Sequence, residues 1–145
     1  MDGANAVFIP AQAEVEEVWP RDGQILIRGM VAGGGSREDG TLVVRSREST
    51  GSELRLSTAG AGGRFGASIG LDELAAACSG AEQTWDLYLK LPGRAEMLRL
   101  GRHLDDIVGK KKIFTYPAQA VAGMWIEPYY TVKDNLSVVC RREAP

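Results

Sequence analysis

The chain has 145 residues, which is long enough for one hydrophobic core that needs neither disulfides nor a metal ion. Its 17 basic and 19 acidic residues give a net charge of -2, whereas nucleic-acid-binding proteins usually carry a clear basic excess. A single histidine and two widely separated cysteines, Cys78 and Cys140, disfavour a zinc site. We therefore expect one globular domain with no nucleic-acid partner, no metal and no cofactor.

The first segment, residues 1–12, predicts a loose leader before a single domain at 13–142. It lacks the basic region and long apolar run of a signal peptide, and we find no stretch typical of a transmembrane span. We expect a cytoplasmic protein. In that compartment Cys78 and Cys140 are expected to be free thiols, and a structural disulfide is the alternative.

Four strands are predicted in the first half of the chain, because apolar residues alternate with polar ones. The inward faces contain residues 25, 27 and 31 in "QILIRGMV", 42, 44 and 46 in "TLVVRSR", 54 and 56 in "ELRL", and 65, 67 and 69 in "RFGASIG". The glycine clusters "AGGGSREDG" and "AGAGG" separate strands. Strands follow both clusters where a phosphate-binding loop needs a helix, so we interpret them as flexible loops.

The second half begins with the clearest helical pattern, "LDELAAAC" at 71–78, which Gly80 ends. "TWDLYLKLPG" predicts a strand with Trp85 in the core, and "AEMLRLGR" returns from it as a hairpin. "HLDDIVGKKK" predicts a polar loop with the lysines at 110–112 in solvent. "NLSVVCRR" predicts the last strand, with residues 136, 138 and 140 inward.

Short strands at a spacing of about ten residues, with one short helix and no alternation of strands and helices, indicate an all-β fold. An antiparallel β-sandwich of immunoglobulin-like or jelly-roll type fits best. A small closed β-barrel is the alternative.

Candidate site residues are arginines and aromatic residues. Five arginines lie in strand patterns, where they either pair with carboxylates across strands or bind an anion: Arg28, Arg45, Arg47, Arg55 and Arg99. Trp125, Tyr129 and Tyr130 can stack on sugar rings or serve as structural anchors. His103 lies near Asp105 in a polar segment without a nucleophile, which favours a solvated histidine over a catalytic base.

Five stretches follow one another in a recognisable order: "VWPRDGQILIRGMV", "LVVRSR", "GGRFGASIGLDELA", "TWDLYLKLPG…LRLGR" and "EPYYTVKDNLSVV". Together, over about residues 15–141, they resemble the β-sandwich accessory domains of bacterial teichoic-acid-type glycosyltransferases and CDP-glycerol glycerophosphotransferases. The resemblance implies a non-catalytic role in polymer binding, subunit association or spacing. It contains no catalytic signature.

The leading hypothesis is a soluble, non-enzymatic module that binds a carbohydrate-type wall polymer or a glycosyltransferase partner. Its expected ligand-binding residues are Arg45, Arg47, Trp125, Tyr129, Tyr130 and Asn135. One alternative is a small β-barrel enzyme of a biosynthetic pathway, of cyclase or isomerase type, that uses Glu127, Tyr129, His103 and Asp105 in a pocket above ~300 Å³. The other is a protein-interaction subunit that forms a homo-oligomer through a sheet edge or face.

Overall fold

The computed structural model describes residues 11–33, 40–49, 51–60, 62–105, 107 and 110–142, without the side chains of residues 111 and 112. Most of the predicted leader and most of the loop at 32–40 lie outside these residues. The elements, in chain order, are β1 (Gln12–Arg21), β2 (Gln24–Ala32), β3 (Thr41–Ser46), β4 (Glu53–Ser57), β5 (Arg64–Gly70), α1 (Leu71–Ala77), β6 (Glu82–Lys90), β7 (Leu98–Gly101), α2 (Lys110–Ile113), β8 (Gln119–Val121), β9 (Met124–Tyr130) and β10 (Leu136–Arg141).

The strands form one mixed sheet in the order β5-β2-β1-β7-β6-β10-β9-β8. In addition, β3 pairs with β6, and β4 pairs with β3. The pairs of described strands are antiparallel except β1 with β7, which is parallel. The all-β class is therefore confirmed, and the described strands form no closed barrel. The hairpin of β6 with β7 is also as predicted.

One half of the sheet consists of β1, β2 and β5, the other of β3, β4, β6, β8, β9 and β10, and β7 pairs with both. A single hydrophobic cluster fills the space between these halves. The inward side chains of β1, β2 and β5 pack there with those of β3, β6, β9 and β10. Trp85, at the middle of β6, is fully buried. Most of the predicted inward residues are confirmed, since residues 25, 27, 42, 44, 65, 67, 69, 136, 138 and 140 are all buried. Leu54 and Leu56 are only half-buried, and Val43, Ser137 and Val139 on the opposite faces of β3 and β10 are buried too.

The segment between β7 and β8 differs from the prediction. It contains the single-turn helix α2, and Lys110 at its start is buried instead of solvated. The Nζ atom of Lys110 lies 3.0 Å from Asp105 Oδ1 and 3.6 Å from Asp134 Oδ2, and it donates a hydrogen bond to the carbonyl of Ile107. The ammonium group thus tolerates burial because carboxylates and a carbonyl surround it.

Candidate functional site

The outward-facing side chains of β3, β6, β10 and β9 form one continuous surface, which we call the outer face. The strand register aligns Arg45 with Asp86, Asp86 with Ser137, and Ser137 with Tyr129. Since successive side chains on a strand point to opposite sides, residues of the same row share a face. Residues from four strands that are distant in sequence therefore meet on the outer face.

Asp86 lies at the centre of this face. Arg47 binds its carboxylate with two hydrogen bonds, of 3.2 and 2.7 Å, Arg99 donates a third of 3.0 Å, and the Ser137 hydroxyl a fourth of 2.7 Å. Burial raises the pKa of Asp86, but the hydrogen bonds from Arg47 and Ser137 and the charge of Arg99 outweigh it and hold the pKa below its usual range. Asp86 is thus ionised at neutral pH.

Glu53 organises the neighbouring part of the face. Arg45 Nη2 lies 3.1 Å from one carboxylate oxygen of Glu53, and Arg55 Nε lies 2.6 Å from the other. Tyr88 lies between Arg45 and Arg99, whose guanidinium groups are 5.5 and 5.4 Å from its ring centroid. The cross-strand pairing that the sequence favoured is thus present for Arg45, which faces Glu53 in the register.

We call this group the arginine patch: Arg45, Arg47, Arg55 and Arg99, with Glu53 and Asp86. Four guanidinium groups face two carboxylates, so the patch keeps an excess of positive charge. The side chains of Arg45 and Arg47 are 40% and 48% exposed, whereas that of Arg99 is only 21% exposed. The side chain of Arg55 is 55% exposed, so three of the four cations can be reached from solvent. Fork-shaped guanidinium groups suit phosphate or carboxylate ligands.

A groove of about 390 Å³ borders the patch along β9, lined by Glu127, Tyr129 and Arg141 on the sheet and by Thr115 and Tyr116 on the segment before β8. The groove exists because the β8–β9 ladder is short and leaves the second half of β9 unpaired on this side. The pairing stops at Ile126, and Pro128 lacks the N–H that could extend it. Residues 114–118 therefore pass beside β9 as irregular chain.

Arg141 and Tyr129 define the chemistry of this groove. Arg141 lies between two carboxylates, 3.0 Å from Glu82 and 2.9 Å from Glu127. The hydrogen bond to Asp86 raises the pKa of Arg47, and the nearby Tyr129 hydroxyl adds to this increase. Tyr129 therefore connects the arginine patch with the groove.

The residues predicted for ligand binding are not all brought together. Arg45, Arg47 and Tyr129 lie on the outer face, and Trp125 is half-buried on the same side of β9. Tyr130 points into the core and is fully buried, against the rings of Phe114 and Tyr116. It does not belong to the outer face, and burial raises its pKa.

Asn135 lies apart from the outer-face residues, and the predicted catalytic residues lie in different parts of the fold. Asn135 lies in the turn before β10, where its Oδ1 is 3.0 Å from Nε2 of His103. Asp105 instead pairs with Arg102 and Lys110. Glu127 and Tyr129 line the groove, but neither His103 nor Asp105 does. The four residues of the enzyme hypothesis therefore do not converge on one point.

Four residues that sequence reasoning did not select contribute to the outer face: Tyr88, Asp86, Ser137 and Arg141. One signal for them was available: the alternation in "TWDLYLK" places Asp86 and Tyr88 on the strand face opposite to Trp85. Their partners come from β3, β7 and β10, and local alternation carries no information about pairing between distant strands.

The two cysteines meet inside the fold as free thiols. A hydrogen bond with Cys140 lowers the pKa of Cys78 to about 7, whereas the same contact and burial raise the pKa of Cys140. The thiol form predicted from the sequence is thus the one present. Neither cysteine lies on the outer face.

No protein-family model matches this chain, and no curated protein matches it. Two solved structures of S. aureus TarS have a similar fold. One aligns with a TM-score of 0.65 and 13% identity over 92% of this chain and 25% of that one. The other, TarS 217–571, aligns with a TM-score of 0.68 and 13% identity over 94% of this chain and 40% of that one.

The chain thus spans a quarter to two fifths of the TarS structures that it matches. At this level of identity the likeness concerns the fold. Among the described residues, no helix is long and apolar enough to cross a membrane.

Proposed function

We propose that this domain is a non-catalytic module that binds an anionic, carbohydrate-type polymer through its outer face. The observation that carries the proposal is the juxtaposition of Arg45, Arg47 and Tyr129, which three different strand pairs bring to one surface beside a groove. Guanidinium groups suit phosphodiester oxygens, and a tyrosine ring suits the C–H face of a sugar or polyol.

The charge of the patch supports an anionic ligand. Both carboxylates are already held by arginines, so a phosphate that approaches Arg45 or Arg47 meets a surplus of cations. Because Arg99 is fixed beneath Tyr88, the face is organised before a ligand binds, which reduces the entropic cost of association.

The fold likeness supports the polymer class. S. aureus TarS is a teichoic acid glycosyltransferase. A domain of this fold is consistent with the accessory role that the sequence resemblance implies, next to a wall-polymer transferase or in association with one. In the alternative form of this proposal, the domain binds a transferase partner instead of the polymer.

An amide NMR titration of the labelled chain with polyol-phosphate oligomers tests the polymer. We expect saturable shifts at residues 45, 47, 88, 127 and 129 that weaken as salt rises, because exposed charge pairs are screened. The double variant Arg45→Ala/Arg47→Ala should lose this binding while its melting temperature stays nearly unchanged. Arg28→Ala/Arg64→Ala, on exposed positions of β2 and β5, is the matched control.

Two results would contradict the polymer proposal. One is the absence of shifts at millimolar oligomer, which would leave a transferase partner as the ligand to test. The other is an equal loss of binding in both double variants, which would indicate attraction by overall charge.

A small enzyme is the second candidate, because the groove contains Glu127 and Tyr129 and its volume falls in the range of small-molecule sites. The filled core and the distance of His103 and Asp105 from the groove weigh against it. Its test is Glu127→Gln, which should abolish any turnover of a candidate substrate.

A further inference from the structure

A second concavity of about 350 Å³ is lined in part by Arg99, near the point where β1 runs parallel to β7. We call it the β1–β7 pocket. Its polar lining residues are Gln12, Arg99, His103 and Asn135, and Met97 and Leu98 supply apolar surface. The parallel ladder is only two residue pairs long, with Ala13 opposite Leu100 and Glu14 opposite Gly101.

His103 is held firmly at the rim of this pocket. Its backbone N–H donates to Glu14 Oε1 at 2.9 Å, and the next N–H donates to Oε2 at 3.0 Å. Glu14 itself is only 6% exposed. The imidazole ring packs over Gly101, where a Cβ atom would lie 2.3 Å from its Nε2 atom. Backbone, ring and carboxylate together fix the position of the histidine.

The two ring nitrogens of His103 have different surroundings. Nε2 lies 3.0 Å from Oδ1 of Asn135 and pairs with it. The other ring nitrogen, Nδ1, has no hydrogen bond with any described residue. The pocket thus offers one unpartnered ring nitrogen from His103.

Gln12 supplies an unpartnered acceptor. Its Oε1 atom is buried and has no hydrogen-bond partner among the described residues. A buried acceptor without a partner is costly and uncommon. The terminal torsion of a glutamine is soft, so a rotation of the amide group presents this oxygen to the pocket at little cost.

Arg99, the cation of the pocket, has few free donors. Its Nη1 donates to the carbonyls of Leu87, Leu100 and Leu136, and its Nη2 donates to Asp86 and Ser137. These groups already use its two terminal nitrogens. The pocket therefore has unpartnered polar atoms and little capacity for an anion, the reverse of the arginine patch.

We propose that the β1–β7 pocket binds a neutral, hydroxyl-rich unit, either a sugar ring or an open-chain polyol. Hydroxyl groups pair with Gln12 Oε1 and with the second ring nitrogen of His103, because a hydroxyl can donate or accept. The C–H surface of the ligand packs on Met97 and Leu98. Tyr88 does not line this site, and a neutral ligand does not depend on the charge on which the proposed function rests.

The test is a titration of the labelled chain with glucose and with sorbitol, followed by the side-chain signals of Gln12, His103 and Asn135. We expect saturable shifts at these signals and none with inorganic phosphate. A preference for glucose identifies a ring as the ligand, and a preference for sorbitol identifies an open chain.

Gln12→Leu should weaken binding about tenfold, the effect of one lost hydrogen bond of roughly 1.4 kcal/mol. Gln24→Leu, an exposed glutamine on β2, is the matched control. Arg47→Ala should weaken polymer binding and leave glucose and sorbitol binding intact, because Arg47 contacts Asp86 and Ser137 and neither lines the pocket. Failure of the polymer proposal and failure of this one are therefore distinguishable. Unsaturable shifts, shifts centred on Glu127, or unchanged affinity in Gln12→Leu would overturn the assignment.

Discussion

Gly101 shows how an absent side chain positions a polar group. It lies at the end of β7 with ordinary strand geometry, and the imidazole of His103 occupies the space that a Cβ atom would need. The backbone carbonyl of Asp134 lies 2.7 Å from the same point. Glycine is therefore required here for space and not for backbone conformation.

Gly101→Ala should lower the free energy of unfolding by about 1–3 kcal/mol, since inserted atoms in a packed site force their neighbours to move. The imidazole signals of His103 should shift at the same time. Gly66→Ala, whose new Cβ atom meets nothing nearer than 3.7 Å, is the control and should stay close to the parent protein. Urea denaturation and NMR measure the two effects; unchanged stability in Gly101→Ala would contradict the packing described.

Asp105 makes stability depend on pH in the acid range. Hydrogen bonds from Arg102 and then Lys110 lower its pKa to about 2, compared with about 4 in an unfolded chain. A group with a lowered pKa stabilises the fold above the unfolded value and loses this effect as pH falls through the folded value. We therefore expect part of the stability to disappear between about pH 4 and pH 2.

Urea midpoints measured across this range check the sign. In Asp105→Asn the decrease between neutral and acid pH should be smaller than in the parent protein, because the variant has no carboxylate to protonate. Asp72→Asn, in the exposed first turn of α1, should keep the parent slope. An unchanged slope in Asp105→Asn would count against the pairing with Arg102 and Lys110.

Arg99 acts at the scale of elements, because it links three strands. From β7 it reaches Asp86 and the carbonyl of Leu87 on β6, and Ser137 and the carbonyl of Leu136 on β10. β7 and β10 both pair with β6, at Tyr88–Leu89 and at Glu82–Asp86. β10 and β7 therefore pair with successive parts of β6, and the guanidinium group of Arg99 lies at the junction between them.

Arg99→Ala should cost at least about 1.5–3 kcal/mol, since it leaves buried carbonyls and Asp86 with fewer donors. Arg99→Lys should recover only part of this, because an ammonium group lacks the planar fork that serves several acceptors. Arg55→Ala removes an exposed pair with Glu53 and should cost less than about 1 kcal/mol. Equal losses in Arg99→Ala and Arg55→Ala, measured by urea unfolding, would refute the bridging role.

At the scale of the whole molecule, the two halves of the sheet share one core and are connected through β7. Neither half can expose its inner face without exposing that of the other. We therefore expect one cooperative unfolding transition. Far-ultraviolet circular dichroism and the fluorescence of the three tryptophans should give the same midpoint in urea. Two separated midpoints would show that the halves unfold independently.

Alternation determined much of the fold from the sequence. The inward residues of β2, β3, β5, β6 and β10, the helix α1 and the β6–β7 hairpin all follow from patterns within about ten residues. The position of Arg45 and Arg47 opposite the core residues Leu42 and Val44 follows in the same way. Such features depend on local backbone geometry, which each segment carries by itself.

Only the tertiary structure decided which strands pair, and hence which residues form a site. The parallel contact of β1 with β7, the burial of Lys110 and the meeting of Arg47, Asp86 and Tyr129 depend on registers between segments far apart in the chain. The sequence could not separate Tyr129 from Tyr130, because consecutive residues exchange faces if the register shifts by one. The outer face and the β1–β7 pocket therefore became visible only when the strands were assembled.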